Sequence, residues 1–283
     1  MSENQYLMDF LPPLSSFRNE TSGTITSYRI NQPQIENTER PALVFLHGFN
    51  GSSKSWACQF AHFTSQTVIA IDAPGFGESQ VVDGGMVAIA DEVAAVIASL
   101  VTGKAVIIGH SMGGMLAQVL GATHPDICEA IILSCTHKGR AQPAGSPLGA
   151  AVLERIQQRE VMDDASYGAL RVGKMLSGRI DPQIVAFLAA VAGEIRVEGI
   201  RCGGFAMHYL DTSAFLDKIT APVAIFTGAD DIVVKPDAAA ALKAGLPQAH
   251  HSLLAGVGHA PYCEDAASFN AAIEAFLDAV LAG

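Results

Sequence analysis

Short apolar runs recur along the chain and alternate with segments in which apolar residues have helical spacing. Continuous apolar runs of this kind are typical of strands buried on both faces of a parallel sheet. The runs predict strands at Thr24 to Ile30, Pro41 to Leu46, Thr67 to Ile71, Ala105 to Gly109, Ala130 to Ser134, Val223 to Thr227 and His250 to Leu254. Helical spacing predicts a helix from Met86 to Leu100 and a last helix from Ser268 to Leu281. This alternation indicates an α/β fold, with a mostly parallel sheet covered by helices on both faces.

The alternation stops between Ser134 and Val223, where no buried strand is evident. Four helices are predicted there instead, near Pro147 to Glu160, Tyr167 to Leu176, Pro182 to Ala192 and Gly199 to Leu210. Functional groups of parallel sheets gather at the carboxyl ends of the strands, and we interpret the insertion as a cap over that edge. The predicted organisation is a core domain of residues 1–137 and 219–283, with a helical cap of residues 138–218 inserted into it.

The run from Ala105 to Gly114 combines a buried strand with a Gly-x-Ser-x-Gly motif centred on Ser111. Apolar residues at helical spacing follow, so the motif lies between a strand and a helix. A sharp turn of this kind exposes a serine hydroxyl, and Gly109 and Gly113 leave room where Cβ atoms would collide. We therefore predict that Ser111 is a catalytic nucleophile. The alternative is an ordinary glycine-rich turn between a strand and a helix.

A serine nucleophile needs a base, and the base needs an acid that orients it. His259 lies in a glycine-containing loop after the last predicted strand, which favours it over the other histidines as the base. Two aspartates, Asp230 and Asp231, follow the preceding strand. We predict Asp231 as the acid, because the turn that begins at Gly228 should direct the later residue toward the histidine. An Asx turn or a helix cap is the alternative interpretation of this segment.

Acyl transfer also needs two backbone N–H groups that stabilise the developing oxyanion. Met112 directly follows the predicted nucleophile, and Phe49 lies in the sequence His-Gly-Phe-Asn-Gly after the strand that ends at Leu46. We predict the N–H groups of Phe49 and Met112 as these donors. His47 is predicted to brace this loop, with substrate binding as the alternative.

Composition and charge narrow the classes of function. The chain has 283 residues and a formal net charge of −11 without a cluster of basic residues, which argues against a nucleic-acid partner. Its five cysteines are scattered without Cys-x-x-Cys spacing, so neither a disulfide framework nor a zinc site is expected. No apolar run approaches the roughly 20 residues of a membrane span, and the polar start lacks the features of a leader. A cytoplasmic protein without a membrane partner is expected, and a homodimer is left open.

The predicted cap differs from the core in charge. Ten of the 17 basic residues fall between Lys138 and Lys218 against nine acidic ones, which makes that segment about +1 and the remainder about −12. One interpretation is that the cap grips a carboxylate of a small-molecule substrate through paired N–H donors. The candidates are Arg140, Arg155, Arg159, Arg171, Arg179 and His208. The other interpretation is that these side chains lie on solvated helix faces.

Taken together, these motifs resemble the α/β-hydrolase superfamily. The resemblance rests on the order Ser111, Asp231, His259, on His47-Gly48-Phe49, on Asp72-x-Pro74-Gly75-x-Gly77-x-Ser79 and on Gly258-His259-x-Pro261. It covers residues 41–283 apart from the cap, and it implies a Ser-His-Asp triad on a mostly parallel, eight-stranded sheet with a helical lid after the sixth strand. It also implies a reaction without a metal or an organic cofactor. Serine at the elbow differs from the aspartate of haloalkane dehalogenases and epoxide hydrolases, which disfavours those reactions.

The predicted function is hydrolysis of a carboxylic ester, a lactone or a related acyl bond of a small substrate through an acyl-enzyme. Two alternatives within the hydrolases are cleavage of a carbon–carbon bond in a vinylogous diketone and cleavage of an amide or enamide bond. An alternative from a different class is a non-catalytic relative that binds a small ligand in the cleft. A complete triad argues against that last alternative.

Overall fold

A single mixed sheet runs through the molecule, for which a computed structural model describes residues 5–31, 33, 40–176 and 180–281. Within these residues the sheet has eight strands, β1 (Leu14–Arg18), β2 (Ile25–Asn31), β3 (Leu43–Leu46), β4 (Val68–Ile71), β5 (Ala105–His110), β6 (Cys128–Ser134), β7 (Val223–Gly228) and β8 (His250–Leu254). Their order is β1-β2-β4-β3-β5-β6-β7-β8. The β1–β2 and β2–β4 pairs are antiparallel and the other pairs are parallel. The predicted mostly parallel sheet of an α/β fold is therefore confirmed.

The strand that the apolar runs did not predict is β1. It lies at one edge of the sheet, pairs with β2, and alternates between exposed and half-buried residues. An edge strand that is open to solvent needs no continuous apolar run. The pattern that identifies the buried strands therefore carries no signal for this one.

Twelve α-helices accompany the sheet in the described part of the chain. They are α1 (Gln5–Met8), α2 (Ala57–His62), α3 (Gly85–Leu100), α4 (Met112–Thr123), α5 (Ala150–Val161), α6 (Asp164–Gly173), α7 (Pro182–Gly193), α8 (Val197–Tyr209), α9 (Ser213–Leu216), α10 (Pro236–Gly245), α11 (Pro261–Glu264) and α12 (Ala266–Leu281). Two 3-10 helices, Ser53–Trp56 and Pro125–Ile127, complete the secondary structure. None of the described helices combines the length and the apolar character needed to cross a bilayer.

Alternate residues of the central strands enter two different cores. In β3, Val44 and Leu46 belong to a cluster with residues of α3 and α4, whereas Leu43 and Phe45 belong to a cluster with residues of α2 and α12. All four side chains are buried. Because successive strand residues point to opposite faces, a strand covered by helices on both sides has no position for a polar side chain.

Helices α5 to α9 lie between β6 and β7, the segment in which the sequence predicts a helical cap. No strand occurs among the described residues of this segment. The carboxylates of Asp163 and Asp181 accept backbone N–H bonds at the starts of α6 and α7, which is why these two helices begin where they do. The segment is fastened to the core by Arg196, whose Nη2 donates to the carbonyl oxygens of Gly75 and Ser79.

Candidate active site

Ser111 lies at the sharp turn between β5 and α4. Its backbone has a φ of 52° and a ψ of −111°, a conformation that residues other than glycine rarely adopt. The turn is tight, since a Cβ on Gly109 would lie 2.2 Å from the Gly113 oxygen and one on Gly113 would lie 2.1 Å from the Leu46 oxygen. The two glycines therefore permit the strained turn that presents the serine hydroxyl, as the motif predicts.

Three of the predicted side chains meet in one hydrogen-bonded line. Nε2 of His259 lies 3.2 Å from Oγ of Ser111, and Nδ1 of His259 lies 2.9 Å from Oδ2 of Asp231. The side chains of His259 and Asp231 are only 5% and 3% exposed. With its Nδ1–H donated to the carboxylate, the imidazole presents Nε2 as an acceptor for the serine proton. This arrangement can perform nucleophilic acyl transfer.

The loops after β7 and β8 bring Asp231 and His259 together. The backbone N–H of Ala229 in the first loop donates to the carbonyl oxygen of Leu254 at the end of β8, at 2.9 Å. The loops approach this closely because a glycine ends β7: a Cβ on Gly228 would lie 2.1 Å from a backbone oxygen of the second loop. Backbone packing between two loops thus joins residues that are far apart in the chain.

Asp231, and not Asp230, contacts the histidine, since Asp230 is exposed. Oδ1 of Asp231 accepts the N–H groups of Val233 and Val234 at 2.8 and 3.0 Å, so the same side chain also forms the Asx turn considered as the alternative. Burial by itself raises the pKa of Asp231. The hydrogen bond from His259, the charge of that ring and the two backbone donors outweigh burial and lower the pKa. Asp231 is therefore ionised where it can orient the imidazole.

The loop after β3, residues 47–51, forms one wall of the site and is called the oxyanion loop below. Phe49 of this loop and Ser111 line the same cavity. Neither the N–H of Phe49 nor that of Met112 donates a hydrogen bond within the part of the chain that the structure describes. Two free donors beside a nucleophile are what a developing oxyanion requires.

Two buried histidines flank the site. Nδ1 of His47 donates to the Gly48 oxygen at 2.8 Å and its Nε2 accepts the Ala73 N–H at 3.0 Å. His47 therefore braces the oxyanion loop and has no ring nitrogen left for a substrate. Nε2 of His110 donates to the carbonyl oxygen of His259 at 2.6 Å. Burial, followed by the charge of the neighbouring His259, lowers the pKa of His110 to about 3, so this ring is neutral.

A cavity of about 150 Å³ lies beside Ser111, lined by residues of the core and of the segment between β6 and β7. Part of its wall is apolar, formed by Met115, Met175, Met207, Val233 and Val234. Arg140, Arg155, Arg171 and Lys174 also line it. His137, which follows β6, contributes a further titratable ring that the sequence interpretation did not include.

The predicted substrate-binding residues of the cap separate into two groups. Three of them, Arg140, Arg155 and Arg171, line the cavity. Arg159 instead holds parts of the cap together, through hydrogen bonds to two backbone carbonyls and one carboxylate. His208 is buried with its Nε2 3.2 Å from Oγ of Ser146, away from the cavity. The structure therefore does not place Arg159 and His208 at the cavity, because both side chains bond within the segment between β6 and β7. Arg179 lies outside the described residues.

Glu264 is a site residue that the sequence interpretation missed. Its Oε2 accepts the N–H of Gly258 at 2.9 Å and its Oε1 accepts the N–H of Ala260 at 2.7 Å. One carboxylate therefore holds the backbone on both sides of His259. Burial raises the pKa of Glu264, although the two backbone donors and the charge of His259 oppose that shift. The available signal was its position at the end of the short helix α11, from which a carboxylate can turn back to the preceding loop.

Metal-ligating atoms come together at one point among the described residues, where Cys135, Asp231 and His259 each offer an atom within 4.8 Å of the others. Burial, followed by the charge of Asp231, raises the pKa of the Cys135 thiol. Nδ1 of His259 and Oδ2 of Asp231 already bond to each other at 2.9 Å, so a metal ion here would have to replace that hydrogen bond. The three residues therefore do not fit a metal ion.

The chain resembles known proteins in sequence. A sequence profile of the alpha/beta hydrolase fold matches residues 41–266. A bifunctional esterase/perhydrolase from Acinetobacter calcoaceticus is 31% identical over 224 residues, which cover 69% of this chain and 76% of that protein. A pimeloyl-(acyl-carrier protein) methyl ester esterase from Citrobacter koseri is 27% identical over 254 residues, which cover 86% of this chain and 96% of that protein.

A solved structure supports the same architecture. The enol-lactonase from Burkholderia xenovorans LB400 superposes with a TM-score of 0.79, over 94% of this chain and 99% of that chain. Its sequence identity is 21%, so the likeness shows the fold alone.

Proposed function

The chain belongs to the α/β-hydrolase fold family, and from that membership we propose that it hydrolyses a carboxylic ester or a lactone of a small molecule through an acyl-enzyme on Ser111. The observation that carries the proposal is the line from Oγ of Ser111 through both ring nitrogens of His259 to Asp231, with separations of 3.2 and 2.9 Å. The ester-cleaving activities in the names of the two sequence relatives support the same class of reaction.

In the first half of the reaction, Nε2 of His259 takes the proton of Ser111 as Oγ attacks the substrate carbonyl carbon. Asp231 holds the ring in the required tautomer and stabilises the imidazolium that forms. The N–H groups of Phe49 and Met112 stabilise the oxyanion, and each such donor contributes about 3 kcal/mol to lowering the barrier. The alcohol then leaves with the proton from His259, and the acyl group remains on Ser111.

In the second half, His259 removes a proton from water, and the hydroxide attacks the acyl carbon by the same path. The acid is released and the serine regains its proton. In a lactone, the leaving hydroxyl stays attached to the acyl group, so that one hydroxy acid is the product. The narrow cavity of about 150 Å³ beside Ser111 favours a small acyl group over a long chain.

A substrate panel tests the proposal. The panel holds p-nitrophenyl esters of increasing acyl length and a small lactone, together with a vinylogous diketone and an anilide for the alternatives that the sequence leaves open. We expect turnover of the short ester or the lactone, and loss of that turnover in Ser111→Ala. A fluorophosphonate probe should label the wild-type protein and not the variant.

Equal ester turnover in Ser111→Ala would refute the acyl-enzyme. If the diketone or the anilide is turned over in preference to every ester, the bond that the protein cleaves is the carbon–carbon bond or the amide bond instead. A protein that is not labelled by the probe and turns over no member of the panel would be a ligand-binding relative instead.

A further inference from the structure

Positive side chains line the cavity beside Ser111. Four cationic residues, Arg140, Arg155, Arg171 and Lys174, line it, and its described lining includes neither aspartate nor glutamate. This concentration contrasts with a formal net charge of −11 for the chain. Arg140 and Lys174 are exposed, and Lys174 lies 3.6 Å from a carboxylate oxygen of Glu154. Arg155 and Arg171 are more enclosed, since Arg155 is half-buried and Arg171 is buried.

Arg155 on α5 is held over the oxyanion loop. Its guanidinium lies 4.9 Å from the centre of the Phe49 ring, and its Nη1 donates to Oδ1 of Asn50 at 2.9 Å. No carboxylate of the described residues lies within 4.0 Å of its nitrogens. Burial, followed by repulsion from Arg171, lowers the pKa of Arg155 to about 10, so the group is still charged at neutral pH.

Arg171 on α6 is 3% exposed and lines the same cavity. Its Nη2 donates to Oε1 of Gln158 at 2.6 Å, and its guanidinium lies 5.2 Å from the centre of the Tyr167 ring. Its Nε is buried without a hydrogen-bond partner, and no described carboxylate lies within 4.0 Å of it. A buried charge and a buried donor without a counterpart destabilise a protein.

Other arginines of the cap have acceptors that match them. Arg159 pairs with Asp164 at 2.6 Å and Arg201 pairs with Glu160 at 3.3 Å. Arg196 has no carboxylate partner either, but its guanidinium group is held by two backbone carbonyl oxygens of the core. The two enclosed guanidinium groups beside Ser111 differ in that they line the cavity and have no carboxylate partner among the described residues. Planar guanidinium groups with free donors in a concave site are well suited to bind a carboxylate.

We infer that Arg155 and Arg171 bind a carboxylate of the substrate, so that the ester or lactone cleaved at Ser111 carries a second, ionised carboxyl group. The inference rests on the proposed function and adds a substrate class to it. A bound carboxylate offsets the repulsion between the two guanidinium groups. The exposed cations Arg140 and Lys174 raise the local concentration of such an anion near the cavity.

Matched half-esters and diesters test the inference. The monomethyl and dimethyl esters of succinic, glutaric and adipic acid present the same scissile bond with and without an ionised carboxylate, and methanol release measures both. For at least one chain length, the wild-type kcat/KM should be about tenfold or more higher for the monomethyl ester than for the dimethyl ester. This preference should persist at high salt, which screens exposed charges. Arg155→Gln and Arg171→Gln should each lower that preference by about tenfold to a hundredfold, the effect expected for hydrogen bonds to a charged group.

Two further variants sharpen the test. Arg155→Lys keeps the charge without the planar fork, so it should retain part of the preference. Arg201→Gln removes a cap arginine that is exposed and already paired, and it should leave the preference unchanged. Calorimetry of glutarate binding to Ser111→Ala, with and without Arg155→Gln, measures the anion site independently of catalysis.

The outcomes separate the two proposals. Hydrolysis of diesters and half-esters with the same preference in all variants overturns the carboxylate site and leaves the proposed function standing. Arg155-dependent binding of glutarate, without hydrolysis of any ester or of the lactone in the substrate panel, supports the carboxylate site and refutes the proposed function. If neither an ester nor the lactone is hydrolysed and glutarate does not bind, both proposals fail.

Discussion

Replacing Glu264 by glutamine tests whether the backbone around His259 must be held for catalysis. The two carboxylate oxygens accept the N–H groups of Gly258 and Ala260 at 2.9 and 2.7 Å. An amide has a single oxygen, so Glu264→Gln keeps one of these bonds and turns an NH2 group toward the other donor. Because burial raises the pKa of Glu264, its charge at neutral pH opposes folding, and a role in positioning His259 explains why a carboxylate is used.

The size of the effect follows from the bonds that are lost. A hydrogen bond to a charged group contributes about 1.5–3 kcal/mol, and Glu264→Gln removes one of them beside the residue that moves the proton. If that free energy is needed to keep the imidazole aligned, kcat falls by about tenfold to a hundredfold, since each 1.36 kcal/mol of barrier is a factor of ten. KM should change little, because Glu264 does not line the cavity.

The assay is kcat and KM for a neutral ester over a range of pH, with thermal unfolding as a check on the fold. As the pH falls, protonation of Glu264 turns one accepting oxygen into a donor, so the acid limb of the wild-type kcat profile includes this titration. The acid limb of the kcat profile should lie at lower pH in Glu264→Gln, because residue 264 no longer titrates in that variant. Glu274→Gln removes an exposed carboxylate that pairs with His62 at 3.0 Å, and it serves as the matched control. A folded Glu264→Gln variant with the wild-type kcat and an unchanged acid limb would refute the reasoning.

Asp231, the proposed orienting acid, and His110, the buried ring next to Ser111, provide two more tests. Asp231→Asn should lower kcat by about 10³-fold to 10⁴-fold because an amide cannot hold the required tautomer of His259, and the exposed neighbour Asp230→Asn should stay near wild type. Equal losses in the two variants would contradict the assignment of the acid. His110 has a pKa of about 3 when folded and about 6.5 when unfolded, so the unfolded chain binds the proton first and stability is lost as the pH falls below about 6.5. His110→Gln keeps an N–H donor for the His259 carbonyl but does not titrate. Between pH 8 and pH 5, the unfolding free energy measured by urea titration should therefore fall by about 2 kcal/mol less in this variant than in the wild type. An identical pH dependence in both proteins would count against a neutral buried ring.

Local patterning was sufficient to predict most of the sheet and the sharp turn at Ser111. A strand buried on both faces must be apolar along its length, and a turn as sharp as that at Ser111 admits only small flanking residues, so both leave a signal within a few positions. The order of Ser111, Asp231 and His259 could be predicted for a related reason. Parallel strands end at a common edge, and residues in the loops that follow them have a high chance of meeting there.

Contacts between distant segments determine which side chains line the site, and the local patterns do not predict this. Arg155 and Arg159 lie on the same helix with similar neighbours in sequence, yet one faces the cavity and the other bonds within the cap. The carboxylate of Asp231 meets His259 through loops after two different strands, which are joined by backbone hydrogen bonds and a close approach at Gly228. Which face a helix presents, and which loop carbonyl meets which N–H, depend on contacts between segments far apart in the chain. No pattern along a short stretch of residues encodes such contacts, and so the cationic cavity became visible only in three dimensions.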